Sequence, residues 1–266
     1  MRKPLIVVKL GGSALTDKKR IYTPRVQEIR RAAKQIAELG KRFSLAVVHG
    51  AGSYGHIPVK QWRLESGFRN RRQLKGLAAT KSKLLEWETI FDTVFLRYQV
   101  PIMPLLASDF VVTRNGRISS ADLRPLRNWL SIGCVPSTGG DIVTDLKNGF
   151  SVVSGDQLAT YLAVGLGASR LIFGTDVDGI FTANPKLDPH ARLLRELTAS
   201  SALRVTGRAS VSTAPDVTGG MAGKIVEAVA AASKGIPVYF INLTKNERLA
   251  KVALGQEVRC SKILPD

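Results

Sequence analysis

Apolar residues fall along this chain in short unbroken runs that alternate with longer stretches where they recur every three or four positions. The first pattern marks strands buried on both faces, and the second marks amphipathic helices. Residues 5–10 predict a buried strand that ends in Gly11-Gly12-Ser13. Residues 24–39 predict a helix in which Val26, Ile29, Ala33, Ile36 and Ala37 share one face. Thr23 suits its N-cap and Pro24 its first position, and Gly40 stops it. Residues 45–48 are the next strand, running into His49-Gly50-Ala51-Gly52-Ser53-Tyr54-Gly55-His56. A long helix spans about 74–98, followed by strand-like runs at 102–106 and 134–136. Asn115-Gly116 and Asn148-Gly149 predict two hairpin turns. Residues 156–166 and 220–233 read as helices, and 170–174, 237–242 and 258–263 as strands. Such alternation predicts an α/β fold: a three-layer αβα sandwich around a mainly parallel open sheet. There is no repeat, low-complexity segment or clear linker, so residues 1–266 read as one domain with a soft boundary near Thr175.

Composition narrows the function. The 266 residues carry 39 Lys and Arg against 21 Asp and Glu, a net charge of +18. Two segments hold much of the surplus: residues 17–42, with nine basic against three acidic side chains, and 60–83, with eight against one. Solvated helix faces are the plainest reading, and a positive field that steers small phosphorylated ligands is the sharper one. A nucleic-acid groove comes third, because aromatics make up only 6% and no RRM, KH or zinc-finger signature occurs. No apolar run is long enough to span a membrane, and the first residues are too briefly apolar for a signal peptide. Cys134 and Cys260 alone make neither a disulfide framework nor a four-thiolate zinc site. The cytoplasm is the expected compartment.

The candidate chemistry lies where strands end in small residues. Lys9 to Ser13, Gly50 to His56, and Gly139-Gly140-Asp141 each follow a strand. Glycines there either make turns or let backbone N–H groups approach phosphate oxygens. Gly50, Gly52 and Gly55 match the dinucleotide pattern, but no acidic residue follows about 20 positions on and no strand completes the unit. A P-loop is also missing, since Gly223-Lys224-Ile225 lacks the hydroxyl. Asp216 to Lys224 places a glycine pair before a helix with a lysine one turn in, which is either a capping loop or a phosphate contact. The carboxylates of residues 173–180 hold a ribose, orient a lysine or make a turn. Lys9 ends a buried strand and needs an anionic partner. Asp156 is either a helix N-cap or an orienting group, and His56 either a loop cap or a phosphate donor. His49 and His190 read as structural. Leu84, Leu85, Trp87, Ile90, Phe91, Val94 and Phe95 read as core residue by residue, and together part of that helix could line an apolar pocket.

Taken in order, Lys9–Ser13, His49–His56, Ser154-Gly155-Asp156, residues 175–179 and residues 216–224 resemble the amino-acid kinase superfamily over nearly the whole chain. Within it, His56 and Thr16-Asp17-Lys18 most resemble the isopentenyl phosphate kinases, while fosfomycin kinases resemble the His56 segment too. Tyr54 stands where Phe is expected. The resemblance implies an ATP-dependent kinase with an acceptor lobe of about 1–174 and a nucleotide lobe of about 175–266. It implies Lys9 and Lys224 on the transferring phosphates, Lys18 stabilising the transition state and Asp156 orienting the lysines. His56, with Ala51, Gly55 and Gly140, would bind the acceptor. Gly11, Gly12, Ser13, Gly52, Asp176 and Gly220 would hold the nucleotide. Magnesium would ride on the nucleotide phosphates, with no metal cage of protein side chains. A small phosphorylated isoprenoid, ATP and a second copy of the chain are the implied partners, with neither membrane nor nucleic acid. The alternatives are a carboxylate, nucleotide-monophosphate or fosfomycin kinase, or a nucleotide- or RNA-binding protein.

Overall fold

The computed structural model describes residues 3–17, 20–209 and 220–266. Its strands are β1 (Leu5–Leu10), β2 (Ser44–His49), β3 (Ile102–Pro104), β4 (Val111–Arg114), β5 (Arg117–Ala121), β6 (Val135–Gly139) and β7 (Asp141–Asp145). They continue with β8 (Gly149–Val153), β9 (Arg170–Thr175), β10 (Ile180–Phe181), β11 (Leu193–Leu194), β12 (Glu196–Thr198), β13 (Val238–Asn242) and β14 (Ser261–Leu264). The helices are α1 (Gly12–Leu15), α2 (Val26–Leu39), α3 (Ser53–Gln61), α4 (Arg72–Arg97) and α5 (Ala107–Phe110). After them come α6 (Arg124–Ser131), α7 (Gly155–Leu166), α8 (Ala199–Ala209), α9 (Gly220–Ala232) and α10 (Arg248–Ala253).

Eight strands form one sheet in the order β12-β14-β13-β9-β1-β2-β6-β3, parallel except where β13 meets β14. Alternate residues of the central strands feed two cores, as the period of two requires. Val7, Phe173 and Phe240 pack under α7 and α9 on one face. Ile6, Val8, Leu10 and Ile172 pack under α2, α4 and α10 on the other. The fold is therefore the three-layer αβα arrangement.

The two asparagine-glycine hairpins do not extend that sheet. They join into a second sheet, β5-β4-β7-β8, through the parallel pairing of β4 with β7. Asp145 binds the two turns together, accepting from the backbone N–H of Asn115, Gly116, Lys147 and Asn148. A small cluster of Val59, Leu64, Ile142 and Phe150 joins this sheet to α3.

Two expectations are corrected. Thr23 does not cap α2, and Pro24 is not its first residue. A bridge between Thr16 and Pro24 holds that segment extended, so the helix starts at Val26 without a side-chain cap. Asp156 is not the N-cap of α7 either, because the Ser154 side chain takes that place by accepting from Gln157 N at 3.1 Å. Asp156 is left in the first turn, free to face the sheet.

Candidate active site

The parallel strands β9, β1, β2 and β6 run side by side, and their carboxyl ends open on one cavity of about 1090 Å³. Ligands of open α/β sheets bind at this edge. The amino ends of α3, α7 and α9 also reach it through Ser53, Gly155 and Gly220, bringing the partial positive charge of helix N-termini.

Two of the glycine loops interlock. A side chain on Gly12 would meet Gly52 N at 2.6 Å, and one on Gly50 would collide with Gly12 N. The backbones after β1 and β2 thus touch with no room for a Cβ. Gly52 has φ +52° and sits against the Thr16 side chain, a conformation and a spacing that suit glycine alone. Thr16, which the sequence did not single out for the site, is 2% exposed and accepts from Ser53 N at 3.3 Å while donating to Gly12 O at 2.9 Å.

At the cavity's inner end lies a buried charge cluster. Lys9 Nζ sits 2.6 Å from Asp156 Oδ1, and Lys224 Nζ sits 3.2 Å from Asp156 Oδ2. Lys9 and Asp156 are each 4% exposed. Burial by itself pushes the Asp156 carboxyl up, but the two ammonium groups overcome it and hold the group below its ordinary value. Asp156 therefore stays ionised, and among the described residues the cluster sets two ammonium groups against one carboxylate beside the cavity. Lys224 also donates to Gly220 O at 3.3 Å.

Of the expected site residues, Lys9, Gly11, Gly12, Ser13, Ala51, Gly52, Gly55, His56, Gly140, Asp156, Asp176, Gly220 and Lys224 all line this cavity. Lys18 lies outside the described residues, as do Asp216 to Gly219. Asp176 pairs with Lys186 at 2.5 Å. Next to it Phe181, Pro185 and Met221 make an apolar side wall. The sequence did not single out Phe181 and Pro185, which come from a two-residue strand and a loop with no periodicity, whereas Met221 lies in the helix predicted over 220–233. Ile57, Val59, Leu84, Ile142 and Val152 also line the cavity, and Val59, Ile142 and Val152 belong to one apolar cluster by α3, the helix that carries His56. Only Leu84 of the proposed α4 pocket residues reaches the cavity. Trp87, Phe91 and Phe95 instead face the core between α4 and the sheet. Tyr54, in place of the expected Phe, is 1% exposed and its hydroxyl donates to Tyr22 O at 2.7 Å, which pins the 20–24 segment to α3.

A parallel sheet with interlocked glycine loops and a lysine-flanked aspartate defines a phosphate-handling α/β enzyme, and a model of the amino acid kinase family matches residues 4–242. The chain belongs to that family. It is 36% identical over 267 residues to the isopentenyl phosphate kinase of Methanothermobacter thermautotrophicus, covering 97% of this chain and 98% of the relative. The isopentenyl phosphate kinase of Methanocaldococcus jannaschii is 31% identical over 83% of this chain and 85% of its own length. A crystal structure of an isopentenyl phosphate kinase superposes with a TM-score of 0.84 at 34% identity, covering 97% of this chain and 99% of that one.

Proposed function

We propose that this chain transfers the γ-phosphoryl group of ATP to isopentenyl phosphate, giving isopentenyl diphosphate for isoprenoid synthesis in the mevalonate route. The observation that carries this reading is the cavity's mixed lining: two lysines on Asp156 together with apolar side chains of the α3 cluster, with His56 also lining it. A phosphorylated five-carbon chain presents a charged head and an apolar tail to match. Relatives bearing that activity at 36% and 31% identity support it.

The reaction brings two polyanions together. The acceptor phosphate is already largely an oxyanion at neutral pH, since its second pKa is about 6. No strong general base is needed, and positioning and charge neutralisation do the rest. Lys9 and Lys224 take the transferring phosphates, and Asp156 holds both ammonium groups toward them. Gly11, Gly12, Ser13, Gly52, Asp176 and Gly220 cradle the nucleotide, mostly through backbone. His56 donates to the acceptor phosphate, with Ala51, Gly55 and Gly140 beside it, and Lys18 supplies transition-state charge. Among the described residues no three His, Cys, Asp or Glu side chains are grouped to hold a metal ion. Magnesium would be carried by the nucleotide phosphates, where it neutralises their charge.

In this reading residues 1–174 supply the acceptor side and residues 175–266 most of the nucleotide side of a single domain. The protein works as a cytoplasmic homodimer. Among the described strands β3 closes one edge of the large sheet, and exposed Leu96 and Ile132 lie at the ends of the neighbouring α4 and α6.

The test is purified protein with ATP, magnesium and a panel of isopentenyl phosphate, fosfomycin, nucleoside monophosphates and amino-acid carboxylates. ADP release with isopentenyl phosphate is expected. Release with another acceptor but none with isopentenyl phosphate overturns the reading.

A further inference from the structure

Behind the acceptor side of the cavity lies a second group of buried charges to which the phosphoryl chemistry gives no part. His49 ends β2 and is 1% exposed. Its Nδ1 accepts from the Trp87 indole N–H at 3.0 Å, and its Nε2 lies 2.9 Å from Glu88 Oε2. An indole nitrogen can only donate, so Nδ1 is the bare nitrogen of the ring and the Nε2 side faces the Glu88 carboxylate. One helical turn on, Asp92 accepts from Ser137 Oγ of β6 at 3.3 Å. The ring is held at Nδ1 by the indole, turns Nε2 toward Glu88, and packs on Phe91 at 4.5 Å between centroids.

What the ring touches gives it a role. It fills the space where a side chain on Gly139 would stand. The His49 carbonyl accepts from Gly140 N at 3.3 Å. The same carbonyl lies where a Cβ on Gly155 would come within 3.1 Å of it, next to Asp156. One residue thereby sets the spacing between the ends of β2 and β6 and the start of α7.

We propose that His49, clamped by Trp87 and Glu88, is a positioning residue that holds the Gly139–Gly140 strand end in place for the acceptor. The inference rests on the acceptor side being where the proposed function puts it. Burying a carboxylate and an imidazole in an aromatic core is costly, and the loop geometry is what that arrangement secures.

The test uses Glu88→Ala, which removes the Nε2 partner, Glu88→Gln, which keeps a side-chain oxygen there, and Trp87→Phe, which removes only the Nδ1 donor. Hydrogen exchange of residues 138–142 reads the loop directly, whichever acceptor the enzyme uses. Glu88→Ala is expected to speed exchange there at least about tenfold while β9 and α9 keep their protection. With the acceptor identified by the panel, its KM rises about tenfold and the KM for ATP stays within about twofold. Glu88→Gln restores both, and Trp87→Phe gives a smaller change in the same direction. If Glu88→Ala does not fold, Trp87→Phe decides. Unchanged exchange at 138–142, or an ATP KM that rises as far as the acceptor KM, overturns the proposal. Failure of the functional reading shows separately, as a wild-type enzyme inactive on isopentenyl phosphate.

Discussion

Two carboxylate clusters, one buried and one with its Asp92 half-buried, stand on either side of the end of β2, and they are electrostatic opposites. Asp156 is one carboxylate between two lysines. Glu88 and Asp92 are two carboxylates sharing one imidazole. Burial pushes all such groups toward the neutral form, so the neighbours decide the outcome. Lys9 and Lys224 hold Asp156 below its ordinary value. Burial and the adjacent Glu88 charge push Asp92 up to about 7, against a smaller pull from His49. The first cluster sets two ammonium groups against one carboxylate beside the cavity, as two incoming polyanions require. The second sets two carboxylates against one imidazole, whose ring packs against Trp87 and Phe91. A buried ionic group can therefore serve ligand charge in one place and scaffold geometry in another, and the surplus sign tells the two apart.

Breaking the first cluster should have the largest effect. Lys9→Met and Lys224→Met each remove one positive charge from the transferring phosphates. A fall in kcat of about 10²–10³-fold is expected, by analogy with losing a preorganised transition-state donor, and initial-rate measurements of ADP release check it. Asp156→Asn leaves two ammonium groups without their counter-charge, so it loses stability as well as rate, by roughly 3–5 kcal/mol. Because the folded carboxyl titrates below its unfolded value, that stabilisation is present above pH about 4 and is lost as pH falls through the folded value. Melting the variant and wild type at pH 7 and pH 3 should show a gap that narrows in acid. A gap of equal size at both pH values would remove the charge argument for Asp156.

His56 lines the cavity from α3, outside both clusters, and tests the acceptor side on its own. His56→Ala is expected to raise the acceptor KM about tenfold, about 1.4 kcal/mol of binding, with the KM for ATP within about twofold. Normal acceptor kinetics would move the acceptor phosphate away from α3.

The sequence carried the first cluster better than the second. Lys9 closing an apolar strand announces a buried cation that needs an anion, and glycines after strands announce close backbone approach. The partner of each glycine was hidden, because Gly12 meets Gly52 from 40 positions away. The central strands β1, β2, β9 and β13 were legible from their apolar runs, and so was α4, whereas β10, β11 and β12 lie in a stretch that reads as loop. Local signals failed where tertiary contacts override them: the Thr16–Pro24 bridge cancels the Thr23 cap, and pairing of β4 with β7 lifts both hairpins out of the main sheet. The second cluster could not be read at all. His49 is separated from Trp87 by 38 residues and Ser137 from Asp92 by 45, and Trp87 belongs to an apolar stripe that reads as plain core. Glu88 and Asp92 interrupt that stripe four positions apart, and that is the one local sign that it hides something polar.

The smallest expected effect is also the sharpest test of the contrast. Asp92→Asn keeps an acceptor for Ser137 and removes the second negative charge. The wild-type carboxyl has a folded pKa of about 7, above its unfolded value. Asp92 therefore costs the fold nothing below the unfolded pKa, costs progressively more as pH rises, and reaches its full penalty above pH 7. The variant should be more stable than wild type at pH 8, by on the order of 1–2 kcal/mol, and the advantage should shrink steadily toward pH 4. Denaturant melts at pH 8, 6 and 4 measure it. A variant less stable than wild type at pH 8 would mean that Asp92 is held as a satisfied anion. Glu88 and Asp92 would then match Asp156 in kind, and the distinction between a cluster that serves ligand charge and one that stores a proton would fall.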